Sequence, residues 1–208
     1  MNTRFDHAYV LDVLSDDHPG IVASVGMTIQ ELSGNIDSIT QTVLEGYFTL
    51  TMIVSFPEAI EANELARRVG KARTGKGVYQ VMARPFVPPA ADDKPELAGR
   101  FVVTAFGPDV PGILLTFSQY MAGKDINIVD LYGERSGEQF VMISQVDIPA
   151  RWDIALLQAE LEEMGRSAGF DVRLQHENIF VATNQLRLSS EPAGRSILPS
   201  KTARPKRT

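Results

Sequence analysis

Two stretches of this 208-residue chain repeat one another at a constant offset of 92 residues, without a gap. Asp17-His18-Pro19-Gly20-Ile21 is matched by Asp109-Val110-Pro111-Gly112-Ile113, Asn35-Ile36 by Asn127-Ile128, and Phe48 by Phe140. Solenoid and propeller repeats run at about 20–50 residues, so an offset this long marks a duplicated domain. Each copy must then close its own core within roughly 85–95 residues, which is small but sufficient for an independent fold.

The two copies carry the same order of elements. In the first, Tyr9, Leu11 and Val13 alternate in a strand from His7 to Leu14, and a polar turn leads through Pro19 into a helix bearing Ile21, Val25, Ile29 and Leu32. Gly34 is placed to end that helix as a left-handed cap. Period-two patterning from Asn35 to Leu44, a tight turn at Glu45-Gly46 and an apolar run from Tyr47 to Ser55 predict a hairpin. A helix near Glu61–Gly70 and a strand from Val78 to Val87 follow. In the second copy, strands at Phe101–Phe106, Asn127–Glu134, Gln139–Asp147 and Phe170–Gln175 bracket helices starting at Ile113 and near Trp152. Ile113, Phe117 and Met121 sit in the same register as Ile21, Val25 and Ile29, and Ile154, Leu157, Leu161 and Met164 mark the second helix. The expected fold is α+β: two tandem ferredoxin-like βαββαβ domains with helices on one face of antiparallel sheets. The first occupies residues 1–87 and the second 99–186. A linker over 88–98 with Pro88, Pro89 and Pro95 joins them, and a basic, compositionally disordered tail covers 187–208.

Charge separates the tail from the body. Six basic residues against the single acid Glu191 give residues 187–208 a charge of +5, leaving −11 on the preceding 186 residues of a chain whose total is −6. An acidic body with no groove-reading motif is a poor ligand for a phosphate backbone. No apolar run spans a membrane and no apolar signal segment opens the chain, so a cytoplasmic protein is expected. With zero cysteines, disulfides, zinc-thiolate sites and cysteine nucleophiles are excluded. Gly70–Gly77 approaches a phosphate-binding loop, but Gly77 replaces the required Ser or Thr and the segment follows a helix. His7, His18 and His176 lack ligand spacing, Glu162-Glu163 reads as a solvated helix face, and Met27, Met121, Met142 and Met164 read as packing residues. No catalytic, cofactor or metal residues emerge.

The shared constellation is the specific signal. Proline is tolerated at a helix start, Asp17 or Asp109 is suited to cap free amides, and glycine admits close approach to the backbone. Exposed helix amides favour a carboxylate, while an asparagine amide both donates and accepts, as a zwitterionic amino acid requires.

A βαββαβ unit with Asp-x-Pro-Gly-Ile after its first strand and Asn-Ile opening its second resembles the ACT domain, a small regulatory module that binds amino acids. Two modules in a chain of this size, ending in Gln175-His176-Glu177-Asn178-Ile179-Phe180-Val181-Ala182-Thr183-Asn184, are similar to the glycine cleavage system transcriptional repressor group. The resemblance covers residues 7–186. It implies modules that pair through sheets or helices and hold ligand between the Pro-Gly loop and the asparagine-bearing strand. The implied ligand-binding residues are Asp17, His18, Pro19, Gly20, Ile21 and Asn35, with Asp109, Val110, Pro111, Gly112, Ile113 and Asn127. His18 aligns with Val110, so the two sites are not equivalent. The implied function is a non-catalytic, glycine-responsive regulator of transcription acting through a DNA-binding or other protein partner, with homodimer formation left open. A regulatory subunit of a biosynthetic enzyme is the alternative. An acylphosphatase-like hydrolase is disfavoured because the sequence places no arginine near either Pro-Gly loop.

Overall fold

The computed structural model describes residues 2–72, 78–88 and 95–181. Its backbone forms two compact units divided at residues 91/92. In the first, β1 (His7–Asp16), α1 (Ile21–Glu31), β2 (Asn35–Leu44), β3 (Tyr47–Phe56), α2 (Ala62–Lys71) and β4 (Gln80–Pro85) follow in sequence. In the second, β5 (Leu97–Pro108), α3 (Ile113–Gly123), β6 (Asn127–Ser136), β7 (Gln139–Pro149), α4 (Ile154–Ser167) and β8 (Asp171–His176) repeat that order. Each unit has one four-stranded antiparallel sheet, ordered β2-β3-β1-β4 or β6-β7-β5-β8. These are two ferredoxin-like βαββαβ modules.

Alternating strand residues and one stripe of each helix meet in the core. Tyr9, Leu11 and Val13 of β1 pack with Ile21, Val25 and Ile29 of α1 and Leu65 and Val69 of α2. Phe101, Val103 and Ala105 of β5 pack with Ile113, Phe117 and Met121 of α3 and Leu157 and Leu161 of α4. Met121 and Met142 are buried, but Met27 is 59% exposed on the outer face of α1 and is not a core residue.

The hairpins differ in turn chemistry. Glu45 and Gly46 both have positive φ, 50° and 88°, as a type I′ turn demands, whereas in the second module only Gly137 does, at 65°. Both turns hold the preceding loop in the same way: the Asp17 amide donates to Gly46 O and the Asp109 amide to Glu138 O, each at 2.8 Å.

Helix α1 ends differently from the expectation. The left-handed residue is Ser33 (φ 57°), and Gly34 supplies the amide that closes the turn onto Ile29 O at 2.9 Å. The second module does the same with Asp125 (φ 54°) and an Ile126 amide to Met121 O, also 2.9 Å. Gly34 is required for another reason: a Cβ there would lie 2.4 Å from Phe56 Cε1. The second module uses Ile126 and Ile148 at these positions, exchanging glycine plus phenylalanine for two isoleucines.

β5 starts at Leu97, inside the stretch read from sequence as linker. Residues 182–208, with the basic tail, and residues 73–77, with most of the glycine-lysine segment, lie outside the described residues. No described helix is long and apolar enough to cross a membrane.

Candidate functional site

Both Pro-Gly loops are built alike. Gly20 and Gly112 are the N-caps of α1 and α3 with φ of 99° and 88°, conformations that L side chains rarely adopt. The prolines therefore precede the helix instead of entering its first turn. No side chain caps either helix, so the expectation that Asp17 and Asp109 cap the amides is corrected: the N-cap position belongs to Gly20 or Gly112, which has no side chain to offer, and Asp109 is paired with Arg135 instead. The first helical backbone bonds are Ser24 N to Gly20 O (2.9 Å) and Thr116 N to Gly112 O (3.0 Å). Amides earlier in α1 thus have no partner within the helix and present the positive end of its dipole to the loop.

In the first module a cleft of about 480 Å³ opens here, lined by residues 17–23 together with Gln41 of β2 and Phe48 of β3. His18 Nδ1 lies 3.1 Å from Pro19 O. The carbonyl only accepts, so Nδ1 carries the proton and, in the neutral ring, Nε2 is an acceptor. That Nε2 is buried and has no hydrogen-bond partner. An unpaired buried polar atom costs about 1–3 kcal/mol. The imidazole stacks on Tyr79, centroids 6.1 Å apart and planes at 21°. The Tyr79 hydroxyl in turn is 3.0 Å from Ser24 Oγ, itself bonded to Ile21 O at 2.9 Å.

The loop of the second module has other chemistry. Val110 packs against the apolar core, and Arg135 Nε lies 2.9 Å from Asp109 Oδ2 and donates to Gly137 O at 2.9 Å. An arginine therefore does sit at one Pro-Gly loop. Its 26-residue separation from Asp109 hid it in the sequence, and the β6–β7 hairpin brings the two together.

The asparagines open β2 and β6 as expected, but not beside the loop of their own module. Asn35 pairs with Ser55, whereas the loop is tied to the hairpin end, where Leu44 pairs with Tyr47. Eight strand residues at about 3.3 Å each separate these ends by roughly 26 Å. Asn127 pairs with Asp147, at the corresponding far end of its sheet. Each asparagine immediately precedes a β-bulge, between Ile36 and Ser38 or between Ile128 and Asp130.

In the first module the bulged residue is Asp37. Its Oδ1 accepts from Asn35 Nδ2 (2.8 Å) and from the Arg4 amide (2.9 Å), and the Phe5 amide donates to Ser55 Oγ at 3.2 Å. Burial alone would raise the Asp37 carboxyl, but hydrogen bonds from Ser55, the Arg4 amide and Asn35 outweigh it and hold its pKa below the ordinary value. Val129 stands at the matching bulge position, so Asn127 has no such carboxylate beside it in sequence. Tyr79, Gln41 and Asp37 are the residues that sequence reasoning missed. None lies in the repeated motif.

Two ferredoxin-like modules, each with a glycine-turned loop opening onto a helix N-terminus, define the class of chain. The protein belongs to the ACT domain family, whose signature matches residues 7–73 and again residues 99–175, and it is an ACT-domain regulatory protein. The UPF0237 protein of Methanosarcina acetivorans is 33% identical over 84 residues, which are 40% of this chain and 91% of that protein. The UPF0237 protein MJ1558 of Methanocaldococcus jannaschii is 40% identical over 82 residues, 39% of this chain and 91% of that one. Among solved structures, a protein of unknown function from Galdieria sulphuraria superposes with a TM-score of 0.63 at 25% identity, covering 81% of this chain and 97% of that chain. A proposed glycine cleavage system transcriptional repressor superposes with a TM-score of 0.59 at 20% identity, covering 81% and 96%, a likeness of fold.

Proposed function

We propose that this chain is a non-catalytic amino-acid sensor that controls transcription through a protein partner, with glycine the first candidate effector. The observation that carries it is the first Pro-Gly cleft. Unpaired helix amides suit a carboxylate, and the side-chain carbonyl of Gln41 in the cleft lining suits an ammonium group. The family is one of regulatory modules, and the glycine cleavage repressor fold lends the choice of effector.

Because Asn35 lies roughly 26 Å from the loop of its own module, a site using both takes them from different modules. The edge strand β2 suits this role. Residues 38–44 read Ser-Ile-Thr-Gln-Thr-Val-Leu, with no charge and no proline to block pairing. The other edges are protected: β4 is short and carries Arg84 and Pro85, β8 carries Asp171 and Arg173, and β6 carries Asp130, Glu134 and Arg135. Antiparallel pairing of β2 with the β2 of a second copy sets the Asn35 end of one strand beside the loop end of the other. Ligand binding at such an interface links occupancy to assembly, which a partner protein can read.

Calorimetric titration of the intact chain with the proteinogenic amino acids, paired with sedimentation analysis, tests this reading. One or a few small amino acids are expected to bind and to stabilise the dimer, and Thr40→Lys is expected to weaken both. A chain that binds no amino acid removes the sensor function.

A further inference from the structure

The duplicated helices α2 and α4 carry opposite charge. Their N-caps are Glu61 and Asp153, each accepting from the amide three residues on, and Leu65 and Val69 stand where Leu157 and Leu161 do, all four buried. That register sets Arg68 against Glu160 and Lys71 against Glu163. Over residues 61–76 five bases and two acids give +3, whereas over the matching 153–168 one base and four acids give −3. One fold accommodates both signs, so the acidity of α4 is not a requirement of the fold.

Along α4 the second module has a groove of about 620 Å³, lined by Gln158, Glu162 and Arg166 and, on the side of β8, by residues 170–175. Both arginines of the groove are already paired, Arg166 with Glu163 and Arg173 with Asp171. Glu162 has no ion pair among the described residues; its Oε1 accepts from Gln158 Nε2 at 2.8 Å. The groove therefore keeps a carboxylate without a base. Other acids of this sheet, Asp130 and Glu134, lie on β6 at the opposite edge.

The strand that walls the groove also leads into the basic end of the chain. β8 ends at His176, and residues 187–208 carry six bases against Glu191, a charge of +5. Five residues, 182–186, extend at most about 17 Å, and the six residues of β8 span about 20 Å. The first bases of the segment thus come within reach of the groove, and the later ones have chain enough to follow it.

We propose that residues 187–208 dock on the α4–β8 groove of their own module, an autoinhibitory contact that withholds these bases from nucleic-acid phosphate. Single exposed ion pairs are weak, but a tethered segment acts at an effective concentration on the order of millimolar. Groove and polyanion then compete for the same bases. The contact is independent of the site at which an effector binds.

The full chain has no cysteine, so Ser200→Cys gives a single position for a nitroxide label. At low salt the label should broaden amide signals of α4 and β8 and spare those of α2, whose charge is opposite. The broadening should survive tenfold dilution, as a contact within one chain requires, and should vanish in Glu162→Lys with Glu163→Lys, whose own dispersed spectrum reports that it is folded. In a gel shift with a duplex of arbitrary sequence, that pair of substitutions should tighten retention about fivefold by releasing the segment. The same charge change on the first module, Glu31→Lys with Glu58→Lys, should tighten it less than about twofold. Broadening centred on α2 or β6, no broadening in the parent, broadening lost on dilution, or equal gains in retention from the two pairs overturns the contact and leaves the sensor function standing.

Discussion

At the scale of single residues, the duplicated fold acts as its own control. Gly34 and Ile126 occupy one backbone position with the same hydrogen bond, so the glycine answers to Phe56 and not to helix capping. Gly34→Ala should destabilise the first module by about 1–3 kcal/mol through overpacking. Combining it with Phe56→Ile, the pairing of the second module, should recover part of that loss, a coupling that a double-mutant denaturation cycle measures directly. Asp37 makes a second residue-level prediction. Its folded pKa is depressed, so its contribution is present above the carboxylate range and is lost as pH falls through the folded value. Between neutral pH and the acid range the parent should therefore lose more stability than Asp37→Ala, each measured by denaturant unfolding against its own neutral-pH value. The motif residues were legible because the duplication printed them twice. Tyr79 was not, since the correspondence slips from 92 to 91 residues after the second helix of each module. An ungapped comparison sets Tyr79 against Asp171 instead of Phe170.

At the scale of elements, periodicity identified each strand and helix of the two sheets, and β2 kept its expected ends from Asn35 to Leu44. What periodicity could not show is how helices are fastened to each other, because that depends on residues brought together by folding. The second module holds α3 to α4 with a cluster that has no trace in the repeat. Lys124 Nζ is 2.6 Å from Glu160 Oε2 and lies over the rings of Trp152 (4.4 Å) and Tyr120 (5.2 Å). The Tyr120 hydroxyl donates to Glu160 at 2.7 Å, and Trp152 Nε1 donates to Lys124 O at 2.7 Å. Burial, reinforced by the Glu160 carboxylate, raises the Tyr120 phenol above its usual range, while Lys124 and then Tyr120 lower Glu160. The first module has Leu32 and Ile60 in place of Lys124 and Trp152, an apolar solution to the same junction. Trp152→Phe should cost about 1 kcal/mol, the net value of one hydrogen bond. Native-state hydrogen exchange should locate that loss in α3 and α4 while amides of the first module keep their protection.

At the scale of the whole molecule, charge and duplication assign different work to different parts of the chain. The body that holds both modules bears −11 and the last 22 residues bear +5. Coulombic attraction to a phosphate backbone therefore comes from residues 187–208 and is opposed by the rest, and it weakens steeply as salt releases the counterion advantage. Deleting Arg187–Thr208 should abolish weak, sequence-independent retention of DNA in a gel-shift measurement near physiological salt, and should leave amino-acid binding unchanged. The truncated body should show no sequence-specific binding under any salt condition, because it is acidic as a whole and in the basic helix α2 both Arg67 and Arg68 are paired to Glu64. Sequence-specific binding by that truncated body would displace the protein partner from the proposed function, since the chain itself would then read the DNA.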